Sequence, residues 1–359
     1  MSTATLLIRA DAGVLAGTGH VMRCLALAQA WQDAGGRAVF AMAESTPAIQ
    51  ARLAAESCEI LTISSPAGTS EDATQTIAIA RKRQATWIVV DGYQFNADYQ
   101  RALKEAAFMI LFVDDYGHAG HYSADLVLNQ NVCADQRLYG NREPYTRLLL
   151  GTRYCMLRRE FRAWRDWKRE IPSVATRLLA TVGGSDPDNV TLCVVQALGE
   201  TELSPLEGVV VVGGSNPHLT SIQQAASDSR HKVRVVTNPA NMAELMAWAD
   251  VAVSGAGSTC WEICALGLPA LLLCVAQNQK ASAECLAEKG AALLLDTRSR
   301  ATSAAISASV KELALEASLR ERICRTAHEL VDCDGAVRVV SRIQHWGGVH
   351  DVVARRDVG

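Results

Sequence analysis

The segment Gly17-Thr18-Gly19-His20-Val21-Met22-Arg23 places a histidine between a glycine-rich loop and a predicted helix. The apolar run Thr5–Ala10 before it predicts a strand, and the apolar residues after it recur at helical spacing until Gly35-Gly36. The first backbone N–H groups of a helix have no partner within the helix, and the helix dipole favours an anion there. His20 is therefore expected beside a bound phosphate, with an imidazole that titrates near neutral pH.

Two other interpretations of this loop are weaker. A dinucleotide-binding fingerprint needs a third glycine three residues after the second, and Met22 occupies that position. The alternative that His20 only caps or packs the helix is disfavoured because Gly17 and Gly19 leave little side chain to shield it from a ligand.

Composition and charge limit the possible classes of protein. A chain of 359 residues is long enough for two domains, and a net charge of −3 gives no electrostatic footprint for nucleic acid. The eleven cysteines show no metal-ligand spacing, and Cys260 and Cys264 on one helix face are predicted to be buried thiols. With no signal peptide and no membrane-spanning run, we expect a cytoplasmic protein without a bound metal.

Short apolar runs alternate with amphipathic helices through both halves of the chain. In the first half, strands are predicted at 5–10, 37–43, 59–63, 87–91, 108–113, 125–129 and 147–150, with helices at 20–34, 46–55, 70–84 and 96–107. In the second half, strands are predicted at 177–182, 208–212, 232–236, 250–254, 269–275 and 291–295. This alternation is typical of α/β domains with parallel sheets covered on both faces.

The domain boundaries follow from this pattern. They are an N-terminal domain at 1–157, a linker at 158–175, a C-terminal domain at 176–333, and a helix and tail at 334–359. The linker is rich in charge and contains aromatic residues, so it is predicted to be a helix whose basic residues lie on a solvated face.

The second half begins like the first, with a strand at Leu178–Val182 followed by Gly183 and Gly184. The next residues, Asp186-Pro187-Asp188, resemble a metal-binding Asp-x-Asp motif. Helix-start chemistry is the favoured interpretation, with Asp186 at the N-cap, the proline at the first helical position and the second acid in the first turn.

A second glycine-rich loop, Gly257-Ser258-Thr259, follows the strand Val251–Val253 and precedes a helix. This arrangement can hold a diphosphate through backbone N–H groups. Glu262, one turn into that helix, either accepts from both hydroxyls of a ribose or occupies a solvated helix position, and the sequence favours neither. Asn278 and Gln279 follow the next strand, where open α/β sheets bind ligands, and their amides suit sugar hydroxyls or acetamido groups.

Several of these stretches also carry a family resemblance. In chain order they are Arg9-Ala10-Asp11, Gly17-Thr18-Gly19-His20, Val90-Asp91-Gly92-Tyr93, Val113-Asp114-Asp115, Leu128-Asn129-Gln130-Asn131, Tyr154-Cys155-Met156-Leu157-Arg158, Val182-Gly183-Gly184-Ser185-Asp186, Gly257–Glu262, Asn278-Gln279 and Asp334-Gly335-Ala336-Val337-Arg338. Over residues 5–342 the chain resembles the PseG/SpsG hydrolases within the GT-B-type nucleotide-sugar proteins. The more distant MurG-type transferases share the glycine–histidine loop and the second-half glutamate.

The resemblance implies a fold and a reaction. Two Rossmann-like domains would face each other across a cleft, the second binding UDP and the first presenting His20. A helix near 335–342 would cross back to brace the first domain. The PseG/SpsG hydrolases convert UDP-2,4-diacetamido-2,4,6-trideoxy-β-L-altropyranose to the free sugar and UDP, a step toward pseudaminic acid.

In the mechanism that we expect, His20 deprotonates a water that attacks the anomeric carbon with inversion, and no cofactor is required. The resemblance implies that Tyr93, the second catalytic candidate, lines the water or sugar site, although it is equally explained as a tyrosine of the cleft wall. Asp91, Asp114 and Asn129 are either sugar contacts or structural hydrogen-bonding groups.

Two alternative functions remain. One is a GT-B glycosyltransferase with a UDP-N-acetylhexosamine donor, in which an acceptor hydroxyl replaces water. The first domain has no segment that joins a strong apolar face to clustered Lys and Arg, as docking to a membrane would require. The other alternative is a non-catalytic nucleotide-sugar-binding protein. The oligomeric state and the exact sugar are not predicted.

Overall fold

In the computed structural model, which describes residues 4–13, 17–296 and 302–346, the chain forms two parallel β-sheets with helices packed against them. The prediction of an α/β fold with two parallel-sheet domains is confirmed. All thirteen predicted strands form, and their ends differ from the predicted ends by at most two residues.

The first sheet has seven strands in the order β3-β2-β1-β4-β5-β6-β7. They are β1 Thr5–Ala10, β2 Arg37–Met42, β3 Glu59–Thr62, β4 Ala85–Asp91, β5 Met109–Val113, β6 Leu126–Asn129 and β7 Arg147–Leu150. The helices between them are α1 Gly19–Asp33, α2 Pro47–Ala55, α3 Ser70–Lys82 and α4 Ala97–Glu105. The chain reverses its direction of winding between β1 and β4, so the loops after these two strands flank the point where open α/β sheets bind ligands.

The prediction of a solvated helical linker is wrong over most of its length, because only α5 Arg159–Arg162 is helical. Phe161 in α5 is fully buried, and Trp164 and Trp167 pack against the core of the second domain. Arg169 donates hydrogen bonds to the carbonyls of Met246, Ala249 and Leu266. Because these side chains find partners in the fold, the segment follows the second domain instead of extending a helix into solvent.

The second sheet has six strands in the order β10-β9-β8-β11-β12-β13. They are β8 Arg177–Thr181, β9 Glu207–Val212, β10 Lys232–Thr237, β11 Val251–Gly255, β12 Ala270–Cys274 and β13 Leu293–Asp296. The helices are α6 Val190–Glu200, α7 Leu219–Ser227, α8 Met242–Trp248, α9 Thr259–Ala265, α10 Lys280–Glu288, α11 Ser303–Leu315 and α12 Ala317–Leu330. The point of reversal here lies between β8 and β11, which matches the arrangement of the first sheet.

The observed start of α6 corrects the predicted N-cap residue of this helix. The helix begins at Val190 and not at Pro187, so Asp186 is not the N-cap residue. Its carboxylate nevertheless accepts from the backbone N–H groups of Val190 and Thr191, at 2.8 and 2.9 Å. Asp186 therefore has the helix-start role that was predicted, from a position farther upstream.

The last helix, α13 Gly335–Gln344, returns to the first domain as predicted and packs beside α1. The chain first crosses between domains at 154–157, where Tyr154 and Met156 enter the core of the first domain. The alternate residues Cys155 and Leu157 enter the core of the second domain. The predicted tail falls largely on residues 347–359, which lie outside the described residues. No helix in the described part of the chain is long and apolar enough to cross a membrane.

Candidate functional site

A cleft of about 730 Å³ separates the two domains, and the loops that follow β1, β4, β8, β11 and β12 supply most of the predicted site. Every predicted site residue lines this cleft. These residues are Gly17, Gly19, His20, Tyr93, Gly183, Gly184, Gly257, Ser258, Thr259, Glu262, Asn278 and Gln279. The structure thus brings the two halves of the predicted site together, while the role of each residue stays a prediction.

His20 lies in the first turn of α1, two residues after the N-cap Thr18. Its Nδ1 is 3.7 Å from Asp91 Oδ1, and its ring meets the ring of Tyr93 edge to face at a centroid distance of 4.8 Å. Burial lowers the pKa of His20, and the charge of Asp91 only partly opposes this effect. The imidazole is therefore neutral at neutral pH and able to accept a proton.

A buried ion-pair network lies behind the histidine. Arg23 donates to both oxygens of Asp91 at 2.7 Å and to both oxygens of Asp115 at 2.8 and 3.1 Å. Although burial opposes ionisation, the charge of Arg23 and its hydrogen bonds lower the pKa of Asp115. Arg23 thereby fixes Asp91 beside His20, and the Asp91 side chain is fully buried.

Arg23 and Asp115 also line the cleft, although neither was predicted to be a site residue. One signal could have identified Arg23: it is the only charged residue between His20 and Asp33 in a largely apolar helix. It also follows His20 by three residues, which places the two side chains on one face of α1.

Tyr93 joins the two domains. Its hydroxyl donates to Asp115 Oδ2 at 2.8 Å and accepts from Nδ2 of Asn278 at 3.0 Å. Burial, followed by the negative charge of Asp115, raises the pKa of Tyr93. Its phenol therefore stays protonated, so Tyr93 can orient groups in the cleft but is not suited to act as a base.

The glycine-rich loops of the two domains face each other at close range. A Cβ atom built on Gly19 would lie 3.3 Å from Ser258 Oγ, and one built on Gly184 would collide with Thr18. In the loop after β12, Gln279 Oε1 accepts a hydrogen bond from the backbone N–H of Val275 at 3.2 Å. Backbone groups of both domains are thus exposed to the same ligand volume.

Glu262 is not a solvated helix residue, so that alternative is wrong. Its side chain is 15% exposed, and Oε1 accepts from Arg158 Nη2 at 2.8 Å. Burial raises the pKa of Glu262, and the charge of Arg158 opposes that rise. Arg158 lines the cleft and was missed, because the sequence analysis placed the basic residues of the linker at the surface.

Asp91, Asp114 and Asn129 are fully buried within the first domain. Asp114 accepts from the backbone N–H groups of Tyr116 and Gly117, both at 2.7 Å. Asn129 donates to the carbonyl of Asp115 and to the hydroxyl of Tyr139. These bonds favour the structural interpretation of the three residues over direct contact with a sugar. In the described residues, no group of three or more His, Cys, Asp and Glu side chains could hold a metal ion.

The sequence of this chain is similar to known families and proteins. Residues 178–330 match the glycosyltransferase family 28 C-terminal domain. The chain is 26% identical over 239 residues to the spore coat polysaccharide biosynthesis protein SpsG of Bacillus subtilis, covering 66% of this chain and 69% of that protein. It is 25% identical over 287 residues to the UDP-2,4-diacetamido-2,4,6-trideoxy-beta-L-altropyranose hydrolase of Campylobacter jejuni, covering 79% and 97%. The resemblance stated from the motifs is confirmed.

A third relative is a transferase, and a solved structure identifies the fold. The chain is 31% identical over 183 residues to the UDP-N-acetylglucosamine--N-acetylmuramyl-(pentapeptide) pyrophosphoryl-undecaprenol N-acetylglucosamine transferase of Azotobacter vinelandii, covering 49% of this chain and 50% of that protein. The structure of Acinetobacter baumannii MurG superposes with a TM-score of 0.65 at 17% identity, over 95% of this chain and 99% of that one. The predicted GT-B fold is confirmed.

Proposed function

We propose that this protein hydrolyses a UDP-sugar to the free sugar and UDP, by attack of water at the anomeric carbon with inversion. The substrate that we propose is UDP-2,4-diacetamido-2,4,6-trideoxy-β-L-altropyranose, after the hydrolase of Campylobacter jejuni that aligns with 79% of this chain. The observation that carries the proposal is the buried imidazole of His20, whose pKa is lowered by that burial, 3.7 Å from Asp91 and in the same cleft as the loop Gly257-Ser258-Thr259. A cleft of about 730 Å³ is also within the usual size of small-molecule sites, about 300–1,000 Å³.

His20 is proposed as the base. Asp91 lies on the Nδ1 side of the ring, so Nε2 is the atom left to accept a proton from water. As that proton leaves, the water oxygen bonds to the anomeric carbon and the bond from this carbon to the diphosphate oxygen breaks. The imidazolium that forms is stabilised by Asp91, which Arg23 holds in place.

The leaving group explains why a single base suffices. Glycosidases use an acid as well as a base because a sugar alkoxide is a poor leaving group. A nucleoside diphosphate leaves as a stabilised anion, since the second pKa of a phosphate is only about 6. The high pKa of the Tyr93 phenol is compatible with this reaction, because no group is asked to protonate the leaving oxygen.

The remaining residues are proposed to bind the substrate. The diphosphate would lie between the N-terminus of α1, where Gly17 and Gly19 are located, and the loop Gly257-Ser258-Thr259. Glu262, oriented by Arg158, would accept from the ribose hydroxyls. Asn278 and Gln279 would contact the sugar.

The first test replaces the proposed base. His20→Asn should lower kcat by about 10²–10⁴-fold, which is typical for loss of a general base, while UDP binds nearly as before. His121→Asn, at a histidine outside the cleft that contacts Asn141 and Glu143, is the control and should keep full activity. Wild-type turnover by His20→Asn would remove His20 from the mechanism.

The second test locates the bond that breaks. Hydrolysis in oxygen-18 water should place the label in the free sugar. Label in UDP would mean cleavage of the bond between phosphorus and oxygen, and would contradict attack at the anomeric carbon.

A UDP-sugar-dependent transferase is the second candidate, favoured by the 31% identity to the transferase of Azotobacter vinelandii. On the same scaffold His20 would deprotonate an acceptor hydroxyl instead of water. Incubation with the UDP-sugar alone separates the two reactions. Prompt release of sugar and UDP supports hydrolysis, and turnover only after an acceptor is added supports transfer.

A further inference from the structure

Two cysteines from different domains meet beside the cleft. Cys133 lies in the loop after β6 of the first domain, and Cys285 lies on α10 of the second. The Sγ atom of Cys133 is 3.9 Å from the Oγ atom of Ser282, which lines the cleft. Ser282 precedes Cys285 by three residues on α10, so the two share a helix face. Cys285 thus lies one helical turn from the residue that Cys133 contacts, and the thiol of Cys133 is among the groups that raise the pKa of Cys285.

This pair differs from the other thiols in its exposure and its position. Both cysteines are free and partly exposed, whereas Cys260 and Cys264 of α9 are buried in the core of the second domain. Partial exposure gives a small oxidant access to the pair. Each cysteine lies near residues proposed to act on the substrate: Asn131 before Cys133 donates to Asp115, and α10 directly follows Asn278 and Gln279.

We propose that Cys133 and Cys285 are an oxidation site, at which hydrogen peroxide converts the two thiols to a disulfide that joins the domains. The sulfur of one cysteine attacks the peroxide, which forms a sulfenic acid and releases one water. The sulfur of the other cysteine then displaces the hydroxyl group from that sulfenic acid, and the thiol proton leaves with it as a second water. Two thiols are oxidised and one peroxide is reduced to two waters.

The disulfide would be a covalent cross-link between the two domains beside the cleft. It ties the loop after β6 of the first domain, which carries Cys133, to helix α10 of the second domain, which carries Ser282 and Cys285. Domain movements that admit substrate and release product often limit enzyme turnover, and a fixed bridge between the domains opposes such a movement. The cross-link itself does not depend on the proposed reaction, whereas its effect on turnover rests on the proposed function.

The experiment treats the full-length protein with hydrogen peroxide, removes the peroxide with catalase, and maps peptides without reduction. We expect one peptide pair linked through Cys133 and Cys285, a mass lower by two hydrogens, and reversal by dithiothreitol. Cys133→Ser and Cys285→Ser should each abolish the linked pair. Cys193→Ser, at another partly exposed cysteine of the second domain, is the matched control and should retain it. Absence of the linked pair in the wild-type protein, or its persistence in either serine variant, would overturn the proposal.

Turnover of the UDP-sugar gives the second readout. The oxidised wild-type protein should be slower than the reduced protein and should recover with dithiothreitol, while Cys285→Ser should be indifferent to the same treatment. An unchanged rate in a protein shown to be cross-linked would refute the proposed effect of the disulfide on turnover. Failure of the reduced protein to act on any UDP-sugar would instead count against the proposed function, and the peptide map would still decide whether the disulfide forms.

Discussion

At the level of single residues, the site combines a neutral histidine with carboxylates that are already paired. Asp91 lies 3.7 Å from the imidazole of His20, but its two oxygens also accept from Arg23. The charge of Asp91 is thus shared, and burial is the stronger influence on His20. The consequence is a histidine that can act as a base without first losing a proton.

The value of kcat/KM should therefore fall only on the acidic side of the pH–rate profile. The base form of His20 is the active form, and its pKa is lowered from the ordinary value of about 6.5. Consequently kcat/KM should rise with pH through a midpoint below 6.5 and be constant above it. Asp91→Asn should move this midpoint lower still, because the charge of Asp91 raises the pKa of His20. A pH–rate profile of both proteins checks this, and a midpoint above 7 in the wild-type protein would contradict it.

Glu262 should contribute mainly to binding. A hydrogen bond to a charged group is worth about 1.5–3 kcal/mol, so Glu262→Ala should weaken UDP binding and raise KM by about 10–150-fold. The effect on kcat should be smaller, because the ribose is remote from the reacting carbon. Glu262→Gln should be milder, since an amide keeps one acceptor oxygen.

The structure adds a control for this experiment. Glu262→Ala leaves the buried Arg158 with Glu160 as its remaining acidic partner, at 3.4 Å, so thermal stability must be measured as well. Glu284→Gln, at an exposed acid on α10 that pairs with Lys280, should change neither KM nor UDP affinity. Unchanged UDP affinity in a stable Glu262→Ala protein would remove Glu262 from the nucleotide site.

At the level of secondary-structure elements, α13 is the part of the second half that stabilises the first domain. Its apolar face, which includes Val339 and Ile343, packs into the core that contains α1. At its start, a side chain at Gly335 would collide with the backbone of Cys155, where the chain crosses between the domains. The helix thus fits closely against both the first core and the crossing segment.

Truncating the buried face of α13 should destabilise the protein. Ile343 is 2% exposed, and replacement of a buried isoleucine by alanine costs about 2–5 kcal/mol. Val337→Ala, on the exposed side of the same helix, should cost far less. Urea unfolding followed by a first-domain probe checks this difference. Equal midpoints for the two variants would show that α13 is not a stabilising part of the first domain.

At the level of the whole molecule, polar contacts across the cleft connect the two domains. Tyr93 of the first domain accepts from Asn278 of the second, and Arg52 of α2 donates to the carbonyl of Ala240 at 3.1 Å. Arg52 also pairs with Glu160 of α5 at 3.0 Å. These polar contacts are among the groups that must separate if the cleft opens.

Tyr93 and Asn278 should therefore be coupled in catalysis. Tyr93→Phe removes the oxygen that Asn278 binds, and Asn278→Ala removes the amide, so each variant should lower kcat/KM. Contacting residues in a double-mutant cycle show interaction energies of about 0.5–3 kcal/mol, so the double variant should be less impaired than the sum of the two. Additive losses would mean that this cross-domain bond has no part in the reaction.

The sequence by itself determined the local structure of this protein. Apolar runs and helical spacing predicted every strand of both sheets. The spacing of apolar residues is a local property of the sequence, because the residues that pack against the core on each strand or helix must be apolar. The loops with Gly17, Gly183 and Gly257 were identified for a similar reason, since each joins a strand to a helix. Parallel strands then place their carboxyl ends at one edge of the sheet, so the pattern predicted which loops line the cleft.

Tertiary structure alone decided which charges and thiols meet. Arg23 reaches Asp91 and Asp115 across 68 and 92 positions of the chain, and Arg158 reaches Glu262 across 104. No spacing rule connects residues so far apart, and charged residues are ordinarily assigned to the surface because burying an unpaired charge is costly. Only packing within the first domain shows that Arg23 pairs with Asp91 and Asp115. Only the contact between the two domains brings the loop of Cys133 to the helix of Cys285.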